Sequence, residues 1–394
     1  MLPTPRELLL GTTPGTYFGA GSIARLPELI AGAGGRSALV VTDSALAATG
    51  VIGTVTDLLA AAGVPAAVFT GVHPNPTTAD LAAGAAAAAG LLEEAPVVVA
   101  VGGGSPIDAA KGIALAAVNP QRGRDLDYRS DFAVTGLPLL AVPTTAGTGA
   151  ETNAFGVVTD EQEHRKFYVG HASTMPVAAI LDPELTFGLP PGATAATGMD
   201  ALTHALESYL SVRANPWSAG IALQVVRMVG EFLPRAVADG SDAEARGQML
   251  LAAHMAGVAM ASTGLGACHA IGHALGGRFN LPHGVALTLV LPEVLEFSRP
   301  VSSERLADLA CALGAGDTAA DADRNASAAV SAVAALAESV GITKTLRDFG
   351  IGAADFGQIA LDALDDEVLA NAPRQPTAAD ITHMLAVALG ETAR

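Results

Sequence analysis

Short β-branched runs alternate with Ala-rich, helix-forming stretches through the first half of the chain. Residues 37–42 (SALVVT), 66–70, 96–101 and 139–142 predict buried strands. Residues 45–62, 78–92 and 106–118 predict the helices between them. Strands alternating with helices imply a parallel, doubly wound sheet with short crossovers. The small-residue run 82–90 predicts a helix packed closely on that sheet. Residues 155–159 and 166–170 flank a polar turn at 160–164 and predict a hairpin, and 178–181 closes the alternating region. Residues 182–198, rich in Pro, Gly and Thr, mark a domain boundary. After Met199 the strand signals nearly vanish, and helical periodicity runs to the end with breaks near 239–242, 314–323 and 371–377. The expectation is an α/β domain over residues 1–190 and an all-helical domain over 191–394, with the ligand site in the cleft between them.

The most apolar long stretch, 250–277, has the length of a membrane span. It carries His254, His269 and His273, many glycines and no basic flank, so it reads as a buried helix. Charge narrows the partners. With 21 Lys+Arg against 39 Asp+Glu the net charge is −18, which argues against nucleic acid and anionic membranes and suits a metabolic protein. Cys268 and Cys311 form no CxxC pair or disulfide framework, which predicts a reducing, cytoplasmic setting. The N-terminus lacks the basic and apolar regions of a secretory signal.

Residues 97–111 (VVVAVGGGSPIDAAK) run from a buried strand into Gly102, Gly103, Gly104 and Ser105, with Pro106 at a first helical turn. Glycines allow close backbone approach to a phosphate, and the helix N-terminus offers free N–H groups and partial positive charge. Pyrophosphate of a dinucleotide is the natural guest; a tight strand–helix turn that binds nothing is the alternative. Asp108 and Lys111 fall on the first turns of that helix. Residues 143–151 (PTTAGTGAE) repeat the theme after another strand, and two such loops on one sheet favour a nucleotide site. Asp43 ends the first long strand, where a carboxylate accepts from ribose hydroxyls and repels a 2′-phosphate, favouring NAD; a helix N-cap is the alternative.

Asp200 and His204 stand at i and i+4, as do His269 and His273, and His283 follows a proline and precedes Gly284. One carboxylate and three imidazoles are a donor set for a divalent transition metal with a position left open, Fe(II) or Zn(II). For a lone Asp/His pair the alternative is a helix-surface hydrogen bond. Two His-bearing apolar helices are harder to explain that way, because buried imidazoles and carboxylates need partners.

Together GGGSPIDAAKG (102–112), PTTAGTGAE (143–151), GMDALTHALESYLS (198–211) and CHAIGHALGGRFNLPHG (268–284) resemble the iron-containing, group III alcohol dehydrogenases. The resemblance spans nearly the whole chain. It implies a Rossmann-like N-terminal domain, a helical C-terminal domain, a nicotinamide cofactor and a metal in the cleft, Fe(II) ahead of Zn(II). It implies metal ligands at Asp200, His204, His269 and His283, with His273 near the nicotinamide and substrate. It also implies a dinucleotide site lined by Asp43, Asn75, Gly102, Gly103, Gly104, Ser105, Asp108, Thr144, Thr145, Thr148 and Lys166. Two departures stand out: Ala150 replaces the usual serine, and Thr152-Asn153-Ala154-Phe155-Gly156 replaces a Val-Thr-Pro-Phe-Ala type of segment, which bears on substrate identity. The related maleylacetate-reducing branch generally lacks the metal ligands, and this chain keeps all four positions.

The implied reaction is reversible hydride transfer between NAD(H) and a small alcohol/aldehyde pair, with the metal polarising the substrate oxygen and His273 relaying the proton. Arg278 and Arg374 are the candidate partners for an anionic substrate. His254 reads as a core histidine, His73, His164, His171 and His383 as surface or loop residues, Cys268 as a small buried residue, and Met255 and Met260 as core or pocket wall. The alternatives are an NAD-binding regulator with a vestigial site and a specialised reductase of a secondary-metabolite aldehyde such as phosphonoacetaldehyde. A dehydroquinate synthase-like enzyme needs several basic residues in its metal pocket, and the metal segments here contain only Arg278. The family suggests a homodimer.

Overall fold

The computed structural model describes residues 14–161 and 165–390, which divide into two compact units between Leu189 and Pro190. The N-terminal residues read for a secretory signal, and the hairpin-turn residues 162–164 with His164, lie outside the described residues.

The first unit runs β1 (Gly15–Phe18), α1 (Leu26–Gly32), β2 (Ser37–Asp43), α2 (Ser44–Ala47), α3 (Val51–Ala61), β3 (Ala66–Val72), α4 (Thr78–Ala89), β4 (Pro96–Gly102), α5 (Gly104–Ala116), β5 (Leu139–Pro143), β6 (Phe155–Asp160), β7 (Arg165–Gly170) and β8 (Ala178–Leu181). Six strands form one parallel sheet in the order β1-β8-β5-β4-β2-β3, while β6 and β7 pair separately as the expected antiparallel hairpin. Central strands β4 and β5 are buried along their whole length, as a sheet covered on both faces requires. Strand β1 escapes the apolar pattern because it is a mostly exposed strand that, among the described residues, pairs only with β8. The helix expected over 45–62 is two helices, separated where Gly50 takes φ +90°. Helix α4 packs in the sheet's core through Leu81, Ala85 and Ala88. Its Gly84 lies against α5, where a Cβ would fall 2.3 Å from Ile113 Cδ1.

The second unit is all helix: α6 (Pro191–Leu210), α7 (Pro216–Ala238), α8 (Ala243–Thr263), α9 (Ala267–Phe279), α10 (His283–Ala312, kinked at Ser302), α11 (Ala322–Ser339), α12 (Phe356–Leu364) and α13 (Ala378–Leu389). The boundary segment expected over 182–198 is helical from Pro191 onward. Pro191 sits in the first turn, where its fixed φ suits a helix, and Gly198 is there for packing, since a Cβ would lie 2.2 Å from Leu233 Cδ1. The single buried helix expected over 250–277 is two helices, α8 and α9, bent by 107°. Gly264 makes the corner with φ +67°. Among the described residues no single helix is long and apolar enough to cross a membrane.

Helices α6 and α10 meet backbone to backbone at Gly284, where a Cβ would fall 1.9 Å from the Ala196 carbonyl oxygen. Backbone cannot yield as a flexible side chain does. We therefore expect Gly284→Ala to lower unfolding stability by about 1–3 kcal/mol, read as a reduced urea midpoint. An unchanged midpoint would show that this approach is not a constraint.

Candidate metal centre and dinucleotide loops

In the α/β unit the two glycine-rich loops leave the C-terminal ends of adjacent strands, with Gly102 of β4 in register with Pro143 of β5. Thr144 N donates to Gly102 O at 2.9 Å. The glycines bring the loops together. A Cβ on Gly103 would lie 3.2 Å from the Thr145 side chain, and one on Gly104 2.8 Å from Thr148 Cγ2. Gly103 is also the N-cap of α5 and offers no capping side chain, which leaves the helix's first N–H groups to an anion. Gly102, Gly103, Gly104, Ser105, Thr144, Thr145 and Thr148 thus form one group.

The other dinucleotide candidates are placed with definite partners. Asp43 caps α2, its Oδ1 accepting from Leu46 N at 2.8 Å, so the alternative role as a helix cap is real and occupies one oxygen. Lys166 Nζ donates to Asn75 Oδ1 at 3.0 Å, and Asn75 holds φ +56°. Its turn is pinned by Asp80, which accepts from His73 N and Thr77 N. Burial pushes Lys166 down, against the pull of Asp108. Asp108 is turned toward the hairpin, accepting from Val157 N at 3.0 Å. Burial raises its pKa, opposed by Lys111.

Sequence reasoning gave Lys111 no role. It is fully buried, and its Nζ donates to Ala150 O at 2.8 Å, Asn153 Oδ1 at 3.0 Å and Phe155 O at 2.5 Å. Burial lowers its pKa, while Asp108 and Glu151 oppose the shift. One ammonium therefore fastens the 150–155 segment to the helix that begins at the glycine loop. The spacing from Asp108 was the available signal.

In the helical unit, Asp200 Oδ1 lies 3.4 Å from His204 Nε2, 3.7 Å from His269 Nε2 and 3.6 Å from His283 Nε2. The tightest group is Asp200, His269 and His283, whose donor atoms all lie within 4.8 Å of one another. The His204 and His269 rings stack at 4.7 Å. Among the described residues Asp200 Oδ1 and His269 Nε2 are buried without a hydrogen-bond partner, a costly state unless something else takes up their lone pairs. Donors bonded tetrahedrally at ~2.1 Å to one ion stand about 3.4 Å apart, so the spacing around Asp200 fits a shared divalent metal. Burial pushes Asp200 up, but His204, His283 and His269 hold it well below the usual carboxylate range. His283 is lowered to about 3 by desolvation and by the neighbouring rings, against the pull of Asp200. Two neutral or deprotonated donors are thereby ready for a cation.

His269 is held from behind by Glu207, a residue of the 198–211 segment to which the sequence alone gives no role. Glu207 Oε2 pairs with His269 Nδ1 at 2.6 Å. Its oxygens also accept from Gly266 N at 2.8 Å and Cys268 N at 2.6 Å. No side chain within α9 caps its N-terminus, so a carboxylate from α6 does it and the helix dipole favours that charge. Burial alone would lower His269; Glu207 and Asp200 outweigh it and raise the pKa to about 9. The signal was positional, since Glu207 stands two turns after Asp200 on the same face. His273, one turn past His269, pairs through Nδ1 with Asp366 Oδ2 at 2.7 Å. No local spacing could reveal a partner so distant in sequence. Neither basic residue offered for an anionic substrate is free for one. Arg278 pairs with Asp362, and Arg374 donates to Phe297 O and lies over its ring.

The α/β unit thus carries two closely packed glycine-rich loops, and the helical unit a buried carboxylate–imidazole cluster. Residues 13–183 match the model of the iron-containing alcohol dehydrogenases, and residues 194–389 the C-terminal model of the Fe-containing alcohol dehydrogenase family. The chain is 36% identical over 372 residues to the lactaldehyde reductase of Escherichia coli K12, covering 93% of this chain and 96% of the relative. It is 35% identical over 380 residues to the NAD-dependent methanol dehydrogenase of Bacillus methanolicus, covering 95% and 98%. A crystal structure of a 1,3-propanediol oxidoreductase superimposes with a TM-score of 0.93 at 35% identity, covering 97% of this chain and all of that one. The chain belongs to the iron-containing alcohol dehydrogenase family. It is an alcohol/aldehyde oxidoreductase of a family that uses NAD and a divalent metal.

Replacing Glu207 with an isosteric amide tests its double role. Glu207→Gln turns an N–H₂ toward at least one of its donors. We expect unfolding stability of the metal-free protein to fall by about 1–3 kcal/mol. Metal affinity, measured by titration calorimetry on the folded protein, should fall about 10- to 100-fold. Affinity within twofold of the parent would contradict the orienting role.

Proposed function

We propose that this chain reduces small aldehydes, and oxidises the corresponding alcohols, with NAD(H) and a divalent metal held by Asp200, His204, His269 and His283. One observation carries the ligand assignment: the buried Asp200 Oδ1, without a hydrogen-bond partner, faces three imidazole nitrogens at 3.4–3.7 Å. When bound, the metal supplies Lewis-acid polarisation of the substrate oxygen and the nicotinamide supplies or accepts the hydride. Fe(II) is the metal of the reading, supported by the mixed carboxylate–imidazole set and by family membership.

The remaining roles fall to the chain's own groups. The N–H groups after Gly103 receive pyrophosphate, and Thr145 and Thr148 close against the glycines that expose them. Asp43 retains a second carboxylate oxygen for a ribose hydroxyl and repels a 2′-phosphate, which supports NAD over NADP; a methanol-oxidising relative named for NAD agrees. Lys166 and Asn75 present a paired ammonium and amide to the cofactor. His273 Nε2 exchanges the proton with the substrate oxygen, since its Nδ1 is taken by Asp366. The reading extends to a homodimer in the cytoplasm, supported by the family resemblance and by two free cysteines, Cys268 and Cys311.

The test is NADH consumption by metal-stripped protein reconstituted separately with Fe(II) and Zn(II), against a panel of short aldehydes. Turnover should return with metal and be lost in His269→Ala. NADH binding with no turnover under either metal would contradict the proposal and favour a nucleotide-binding regulator.

A further inference from the structure

Asp366 and His273 form a carboxylate–imidazole pair that neither the sequence motifs nor the metal ligands explain. Asp366 Oδ2 accepts from His273 Nδ1 at 2.7 Å, with the two side chains only 16% and 20% exposed. Both oxygens of the carboxylate are engaged. Its Oδ1 accepts from Val368 N at 3.1 Å and so caps the short 3-10 turn Glu367–Asn371. The far end of that turn is also tied: Asn371 Nδ2 donates to Leu265 O at 3.0 Å, and Asn371 O accepts from Val212 N at 3.0 Å. An ionised carboxylate only accepts, so Nδ1 must carry the hydrogen in this pair. Nε2 is then the nitrogen without a hydrogen-bond partner among the described residues. The ring is flanked by His283, stacked at 5.5 Å, and by His269, edge-on at 5.8 Å.

We propose that Asp366 is a positioning residue for the reaction: it fixes the tautomer and rotation of His273, so that Nε2 is the nitrogen presented to the substrate oxygen. The inference rests on the reading that His273 serves the reaction. Removing the carboxylate leaves the ring in place but free to turn over or to carry its hydrogen on either nitrogen. The loss then falls on turnover rather than on binding.

Asp366→Asn and Asp366→Ala, made in the full-length, metal-loaded enzyme, test this. Asparagine keeps the cap on Val368 through its carbonyl oxygen and so presents its N–H₂ to His273 Nδ1, reversing the tautomer. The expected result is a fall in kcat of about 10- to 100-fold in both variants. Aldehyde KM, NADH binding by fluorescence, metal content and Tm should stay close to the parent's. In ¹⁵N spectra of histidine-labelled, Zn(II)-loaded protein, His273 should change from the Nδ1–H form to the Nε2–H form in Asp366→Asn. Unchanged kcat and tautomer in both variants, with His273→Ala inactive, would overturn the positioning role alone. A kcat loss matched by loss of metal or of Tm would overturn it in favour of a scaffold role. Full activity of His273→Ala would overturn the reading beneath it as well.

Discussion

The helical unit is organised around one buried carboxylate oxygen. An ionised oxygen deep in protein is tolerable only when positive charge or hydrogen-bond donors surround it. Asp200 Oδ1 has three imidazole nitrogens near it and, among the described residues, no hydrogen bond. The rest of the unit can be read as what brings those rings there. Helix α6 supplies Asp200 and His204 on one face. Helix α9 starts where Glu207 caps it, which aims His269 at Asp200. Helix α10 starts at His283, and Gly284 lets its first turn press on the α6 backbone. Two carboxylates, Glu207 and Asp366, each take the Nδ1 of a histidine on α9 and leave the Nε2 of each ring for other chemistry.

The α/β unit follows a different constraint, the close approach of two loops. Gly103 and Gly104 are needed less for unusual φ than for room, because Thr145 and Thr148 occupy the space their side chains would fill. Lys111 then fastens the 150–155 segment to α5. Asn153, which departs from the commoner family pattern, is one of its three oxygen partners. A departure from the family pattern in this segment is thus also a change in what steadies it.

Much of this was legible in the chain. Alternating buried runs gave the central strands within a residue or two, because strands covered on both faces are continuously apolar. The exposed edge strand at Gly15–Phe18 carried no such run and was missed. Helix breaks at Gly50 and Gly264 were missed because an isolated glycine reads equally well as a packing site, which is what Gly198 proved to be. The i, i+4 spacing singled out Asp200 with His204 and His269 with His273, because both members of each pair share one helix face, while His283 stood out by its place between Pro282 and Gly284. Glu207, Lys111 and Asp366 were not assigned, since their partners lie 39 to 93 residues away and only folding joins them.

The central claim is that four named side chains hold one metal ion. Crystals of the Fe(II)-loaded protein, measured at the iron absorption edge, test it most directly. A single anomalous peak should lie about 2.0–2.3 Å from Asp200 Oδ1 and from the Nε2 atoms of His204, His269 and His283. No peak there, or iron bound at other residues, would contradict the account.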